Sequence, residues 1–164
     1  MDTFDAISKR SSIRSYLDKP LSKELLEKLV DAGRQAPTAR CVEPWEFIII
    51  TQKANLQKIS DIATNGKFIK EAQAAIAIFC EDTKYYLEDG CAATENILLQ
   101  ASDLGLGACW IAGDKKPYCD EIADMLSVPK TKKLISIISL GWPAEKAQPH
   151  KRRPLEDLLH WEKF

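Results

Sequence analysis

The chain has 164 residues, of which 45% are hydrophobic and 29% are charged, and its net charge at pH 7 is −1. This length and apolar content indicate a single domain, or one protomer of a tight oligomer. A nearly neutral chain is not expected to bind nucleic acid or an anionic membrane through its overall charge, so each cationic cluster needs a local explanation.

The sequence also suggests a cellular compartment. The first ten residues lack the apolar region of a secretory signal, and no apolar run approaches the roughly 20 residues needed to cross a bilayer. The five cysteines form no CxxC pair, and their odd number does not favour a disulfide framework. We therefore expect a cytoplasmic protein in a reducing environment.

Helices and strands are predicted in alternation along the chain. A short helix is expected over residues 2–10, and a second begins after the N-cap candidate Ser22 and ends before Pro37. Further helices are predicted over 53–63, 85–104 and 117–126, and strands over 45–51, 74–80, 107–111 and 134–140. This order predicts a layered sheet with helices on both faces.

The segment KRSSIRSY directly follows the first predicted helix. In an extended backbone, alternate side chains point to one face, so Arg10, Ser12 and Arg14 would share a side. Two guanidinium groups and a hydroxyl suit a phosphate. A solvated loop with surface ion pairs is the alternative. A second cationic cluster, at residues 151–153, has the same two readings, and both clusters are candidates for one anion site.

Two further segments are candidates for ligand contact. QAPTARCVEPW, residues 35–45, is a stiff polar loop between a helix and a strand, a common position for binding residues. It is otherwise a plain connector. LGLGACWIAGDKKP, residues 104–117, contains Gly105, Gly107 and Gly113, which permit close backbone approach. It does not match the dinucleotide fingerprint GxGxxG, because its third glycine is wrongly spaced and it ends a helix.

Taken together, five segments resemble the FMN-dependent nitroreductases, in a short form. In chain order they are RSSIR, APTARCVEPWEFII, AATENILLQASDLGLGACWIAG, LGWP and KRRPLEDLLHWE. The order and spacing of these segments make the resemblance specific, and it covers almost the whole chain.

The resemblance implies a fold and an assembly. The fold is α+β, a three-layer α/β/α arrangement whose central sheet is mixed, mainly antiparallel, and flanked by helices. It implies a single domain over residues 1–164, with residues 150–164 as a C-terminal extension that packs on the partner of a domain-exchanged homodimer. FMN would lie at the subunit interface. The apolar residues of the tail fit this role, although packing on its own core is the alternative.

The resemblance also implies a cofactor site. Its residues would be Arg10, Ser11, Ser12, Arg14, Pro37, Thr38, Ala39, Cys41, Asn65, Trp110, Ala112, Gly113, Lys151 and Arg153. The first four would hold the phosphate and ribityl chain, and the last two would reach the phosphate from the C-terminal side. Residues 37–39 would come from the other subunit and line the flavin. Backbone around Ala112 and Gly113, near Trp110, would donate to its N5/O4 edge, and Asn65 would lie on the pyrimidine edge.

The implied activity is reduction of nitroaromatics, quinones or similar acceptors by NAD(P)H, with hydride transfer in ping-pong order. The chemistry belongs to FMN, so no catalytic side chain is expected. Three positions depart from the family pattern: Cys41 stands where asparagine is common, and Glu43 and Glu95 stand where glutamine is common. The chain also lacks the helical insertion of larger members, which predicts a more open site.

The sequence is also compatible with two functions other than an FMN-dependent reductase. A flavin-binding or ligand-sensing protein without efficient turnover is the main alternative, and a plain α/β interaction domain without flavin is the third. The only two histidines, His150 and His160, do not form a metal-ligand pattern with the scattered cysteines, so no metal site is expected.

Overall fold

The computed structural model describes residues 2–147 and 151–164. The α-helices are α1 (Thr3–Lys9), α2 (Lys23–Arg34), α3 (Lys53–Ile62), α4 (Tyr86–Asp103) and α5 (Cys119–Met125), and the strands are β1 (Trp45–Ile50), β2 (Ala74–Glu81), β3 (Gly107–Ala112) and β4 (Lys132–Gly141). Short 3₁₀ turns cover Ala39–Cys41, Ile69–Glu71 and Leu155–Asp157. His150 and the start of the predicted extension lie outside the described residues.

The four strands form one sheet in the order β1-β2-β4-β3, and each neighbouring pair is antiparallel. A parallel bridge joins Ser12 to Ala108 and adds the chain after α1 to the β3 edge. A bulge in the β2–β4 pairing lies where Ile78 pairs with Ser136 but Phe79 pairs with Leu134. The sheet therefore has the mainly antiparallel character that the family resemblance implies.

The sheet is buried on both faces. Along β2, Ile76 and Ile78 belong to the core beneath α2 and α4, whereas Ala77 and Phe79 belong to the core beneath α3 and α5. All four side chains are fully buried. Alternate residues of one strand thus serve two cores, which requires the near-continuous apolar sequence AAIAIFC. This three-layer arrangement confirms the predicted fold class.

Local sequence signals account for the element ends. Ser22 caps α2 by accepting a hydrogen bond from the Leu25 amide, as predicted. Helix α4 ends before Gly105, whose φ of 71° is the left-handed conformation that glycine adopts most readily. The predicted helices and strands are all confirmed to within a few residues. The largest differences, of two residues each, are at α5, which begins at Cys119 and not at Pro117, and at β4, which begins at Lys132 and not at Leu134.

The described part of the C-terminal tail is not packed on its own core. Every residue from 151 to 164 is exposed. The exposed large apolar side chains of this segment are Leu155, Leu158, Leu159, Trp161 and Phe164. Within a single copy of the chain, this apolar surface has no cover.

Candidate functional site

The segment after α1 has the one-sided arrangement that its sequence predicts. Ile13 is buried, and its amide donates to the Ala108 carbonyl of β3 at 2.9 Å. Ser12 and Arg14, on either side of it, are exposed. Because the Ile13 side chain points into the core, the side chains on either side of it in this extended segment point the other way. The Ser12 hydroxyl and the Arg14 guanidinium therefore face outward together.

Glu145 fixes the other side of this segment. Its Oε1 atom accepts hydrogen bonds from the amides of Arg14, at 2.7 Å, and Ser15, at 3.1 Å. Glu145 follows β4 by four residues, so the chain returning from the sheet sets the position of the extended segment. Charge-assisted bonds of this kind are stronger than bonds between neutral groups.

Tyr16 ties the same segment to the sheet. Its hydroxyl donates to the Ile13 carbonyl at 2.6 Å and lies 2.7 Å from the Ser139 hydroxyl on β4. Burial raises the pKa of Tyr16 above its ordinary value, although the hydrogen bond with Ser139 opposes the shift. The phenol therefore stays neutral at ordinary pH and can keep donating to Ile13.

A cavity of about 1050 Å³ opens beside this segment. It is lined by Phe4, Ile7, Ser8, Lys9, Arg10, Ser11, Ser12, Arg14, Glu145, Lys146, Ala147 and Arg152. Five of these residues are cationic and one is anionic, in a chain whose net charge is −1. The local excess of positive charge and the hydroxyls make the cavity suited to an anion such as a phosphate.

One cation of the C-terminal cluster lies at the cavity in this structure. Arg152 lines the cavity, whereas Lys151 and Arg153 are not among its lining residues. The Arg153 guanidinium instead donates to the Asp157 carbonyl at 2.8 Å. The resemblance implies Lys151 and Arg153 as phosphate contacts, and both stay predictions. A run of three cations in an irregular segment carries no periodicity that distinguishes one of them.

Two contacts orient the arginines of the cavity. The Nε atom of Arg10 lies 3.5 Å from Oε1 of Glu95 on α4. The Arg14 guanidinium lies 5.7 Å from the centre of the Phe68 ring. Phe68 follows exposed Asn65 by three residues, so the loop that contains Asn65 reaches the Arg14 side of the cavity.

The free edge of β3 continues from this region. Because Gly113 donates to the Ile135 carbonyl at 2.9 Å, its amide is engaged within the sheet. Hydrogen bonding alternates along an antiparallel pair, so the amides of Trp110 and Ala112 point away from β4. Ala112 is exposed and Gly113 is buried. Of the two predicted backbone donors, only Ala112 is available.

Gly113 has a different role. A Cβ atom at this position would lie 2.5 Å from the Leu134 carbonyl oxygen. The close approach of β3 to the start of β4 therefore requires glycine here.

The loop of residues 37–41 is held in a defined shape. The Thr38 hydroxyl donates to Asp89 on α4 at 2.8 Å, and the Ala39 amide donates to the same carboxylate at 3.1 Å. Pro37 and Cys41 are exposed on either side of these contacts. Asp89 is buried and was not anticipated from the sequence, because no local pattern pairs it with a loop 50 residues earlier.

One chain does not bring this loop to the cationic cavity. The loop contacts α4 at Asp89, whereas Arg10 of the cavity contacts α4 at Glu95, six residues or roughly 9 Å further along the helix. None of residues 37–41 is among the residues that line the cavity. The predicted site residues therefore form two groups at different positions along α4.

The described residues contain neither a membrane-spanning helix nor a metal-ligand cluster. Over 2–147 and 151–164, no helix is both long and apolar enough to cross a membrane. In the same ranges, no three histidine, cysteine or acidic side chains come together as metal ligands would.

Comparison with known proteins gives consistent matches over the full chain. A family model described as "Putative TM nitroreductase" matches residues 2–164. A Methanothermobacter thermautotrophicus protein described as "Putative NADH dehydrogenase/NAD(P)H nitroreductase" is 34% identical over 171 residues, which covers 100% of this chain and 88% of the relative.

Solved structures agree with the family match. An "FMN-dependent Nitroreductase" from Clostridium difficile R20291 has a TM-score of 0.88 and 33% identity, covering 98% of this chain and 99% of that one. A "putative nitroreductase in complex with fmn" from Desulfovibrio desulfuricans has a TM-score of 0.88 and 27% identity, covering 100% and 98%. The similarity therefore extends over the whole fold and is not confined to one motif.

Proposed function

The chain belongs to the nitroreductase family, and on that premise we propose that it is an FMN-dependent oxidoreductase that uses NAD(P)H to reduce small organic acceptors. The observation that carries this proposal is the convergence of Arg10, Ser12, Arg14 and Arg152 on one cavity beside the free edge of β3. A similar protein is described as "in complex with fmn", which supports the choice of cofactor.

The residues present fit FMN. Guanidinium groups bind phosphate through paired N–H donors, and three arginines line the cavity. Ser11 and Ser12 add hydroxyls next to them, where a phosphate or a ribityl chain offers complementary groups. We propose Arg10, Ser11, Ser12, Arg14 and Arg152 as the phosphate and ribityl contacts. Lys151 and Arg153 are second candidates that need a change of side-chain position to reach the cavity.

The remaining cofactor contacts follow from the β3 edge. We assign the Ala112 amide as a donor to the flavin, because it points away from β4 and is exposed. Trp110 lies on the same edge, and Asn65 lies in the loop that reaches Arg14. When bound, FMN accepts a hydride from NAD(P)H and passes the electrons to the acceptor. The backbone amide would favour negative charge on the reduced ring.

A second copy of the chain would complete the site. Because Pro37, Thr38, Ala39 and Cys41 do not line the cationic cavity of their own chain, we propose that they line the flavin of the partner subunit. Residues 150–164 would form an extension that packs on the partner, because the described part of it exposes large apolar side chains. The chain would therefore act as a single-domain protomer of a homodimer.

Nitroaromatics and quinones are the proposed acceptors. The donor and the acceptor would occupy the same space in turn, which gives ping-pong kinetics. Steady-state oxidation of NADH and NADPH by the purified protein, with a quinone and a nitroaromatic, tests the proposal. We expect saturable turnover and parallel double-reciprocal lines. Flavin binding without turnover on several acceptors would instead support the alternative of a ligand-sensing protein of the same fold.

A further inference from the structure

A buried carboxylate holds the bend formed by residues 38–43. Asp89 is only 5% exposed. Its Oδ2 atom accepts the Thr38 hydroxyl at 2.8 Å, and its Oδ1 atom accepts the Ala39 amide at 3.1 Å. The Thr38 hydroxyl oxygen in turn accepts the Glu43 amide at 3.1 Å. Three hydrogen bonds thus close the bend at both ends through two side chains.

The backbone of the bend is unusual for its sequence. Arg40, Cys41 and Glu43 have φ values of 61°, 55° and 49°, the left-handed region that favours glycine. Non-glycine residues persist in such conformations only when their surroundings hold them, and they concentrate at ligand-binding segments. The hydrogen bonds of Asp89 and Thr38 provide that constraint without any ligand.

The two side chains that hold the bend have little capacity left for a ligand. The Thr38 hydroxyl uses its hydrogen to reach Asp89 and one lone pair to receive Glu43. Both Asp89 oxygens are also engaged. By contrast, Cys41, Val42 and Glu43 are exposed at the tip. Thr38 and Asp89 therefore hold the bend in place. The side chains at the tip of the bend are exposed to solvent.

We propose that Asp89 and Thr38 are positioning residues that preset the bend as a wall of the acceptor pocket, and that Glu43 on this wall selects uncharged acceptors over anionic ones. The inference rests on the proposed function, because it takes the bend to line a flavin site. A fixed carboxylate repels an anionic acceptor only if the backbone keeps it in place. Loss of either positioning residue should therefore reduce the discrimination.

The structural part of the inference has a test that requires no flavin. Hydrogen–deuterium exchange of the full chain follows the amides of Ala39 and Glu43 in the wild type, Thr38→Val and Thr38→Ser. Valine keeps the shape of threonine and removes the hydroxyl, whereas serine keeps the hydroxyl. We expect exchange about tenfold faster in Thr38→Val, since each amide depends on this hydrogen-bond network, and wild-type rates in Thr38→Ser.

The selectivity part uses two quinones, uncharged menadione and the anionic 1,2-naphthoquinone-4-sulfonate. The measured quantity is the ratio of their kcat/KM values, compared between variants of the holoenzyme. We expect Glu43→Gln to shift the ratio about threefold to fivefold toward the sulfonate, as loss of one exposed charge allows. Thr38→Val should shift it in the same direction. Glu121→Gln, an exposed carboxylate on α5, is the matched control and should leave the ratio unchanged.

The outcomes separate the inference from the function on which it rests. Unchanged exchange in Thr38→Val would overturn the positioning role even if the enzyme turns over normally. Faster exchange with an unchanged selectivity ratio in both Thr38→Val and Glu43→Gln would overturn the assignment of the bend as an acceptor wall. Absence of turnover in the wild type would overturn the proposed function, while the exchange result would still report on Asp89 and Thr38.

Discussion

The carboxylate of Glu145 accepts a 2.7 Å hydrogen bond from the backbone amide of Arg14, a residue 131 positions earlier in the chain. The same oxygen accepts the Ser15 amide. These bonds attach the extended segment to the chain that leaves β4, on the edge of the cationic cavity. Glu145 therefore supports the proposed phosphate site through the position of its neighbours, although its own charge is unfavourable there.

The first prediction concerns this carboxylate. Glu145→Ala leaves two amides without their acceptor and should lower the free energy of unfolding by about 1–3 kcal/mol. It should also weaken FMN binding, because the segment that carries Arg14 loses a constraint. Urea unfolding and FMN titration measure the two effects. Glu27→Ala, which breaks only an exposed ion pair with Lys23 on α2, is the control and should change both little.

The arginines of the cavity give the second prediction. Arg10→Ala and Arg14→Ala should each weaken FMN binding by about 1.5–3 kcal/mol, since each removes charge-assisted hydrogen bonds. This corresponds to roughly a tenfold to 150-fold rise in Kd, measured by fluorescence titration. Arg34→Ala removes an exposed cation that pairs with Asp31 within α2, and should leave the Kd unchanged. Wild-type affinity in both cavity variants would contradict the phosphate assignment.

Tyr16 gives a prediction on pH. Burial raises its pKa above the ordinary value of about 10, so the folded state keeps a proton that the unfolded state loses. Its contribution to stability is therefore complete below pH 10 and falls as the pH rises above 10. Tyr16→Phe should be less stable than the wild type by about 1 kcal/mol near pH 8, through lost hydrogen bonds with Ile13 and Ser139.

The wild type and Tyr16→Phe share every other titrating group. The difference between their free energies of unfolding therefore reports on Tyr16 alone. Urea unfolding at pH 8 and at pH 10.5 should give a smaller stability difference at the higher pH. A difference that stays constant or grows with pH would show that the phenol is not held neutral by the fold.

The tail gives a prediction on assembly. Trp161 is 80% exposed in the single chain, and its burial against a partner would contribute about 1.5–3 kcal/mol. Because each homodimer would bury two such side chains, Trp161→Ala should raise the dimer dissociation constant by about 100-fold or more in sedimentation experiments. It should also lower FMN retention, because the proposed site needs residues from both subunits. Lys163→Ala, in the same tail, is the control. Unchanged assembly of Trp161→Ala would contradict exchange of the extension.

The helices, the strands and the layer arrangement could be read from the sequence because local signals specify them. Ser22, Gly105 and the continuous apolar run of β2 act within a few residues of their own position. The alternation of Ser12 and Arg14 around buried Ile13 was predictable for the same reason. These signals determine which side chains point to one face, and hence where an anion site is expected.

The finer features of the site depend on contacts that no local pattern encodes. Glu145 and Asp89 act across 131 and 50 residues, respectively. Whether the Ala112 or the Gly113 amide is free depends on which residues of β3 form hydrogen bonds with β4. The sequence alone does not determine this register. The position of Arg152 at the cavity depends on the path of an irregular segment. In each case tertiary geometry decides between chemically equivalent candidates.

The most direct test of the central claim is the visible spectrum of the purified chain during titration with FMN, followed by release and identification of the bound chromophore. The account predicts flavin absorbance that saturates at one FMN per chain and a released chromophore that is FMN. A protein that retains no flavin and binds none during the titration would contradict the account, and the cationic cavity would then require another anion.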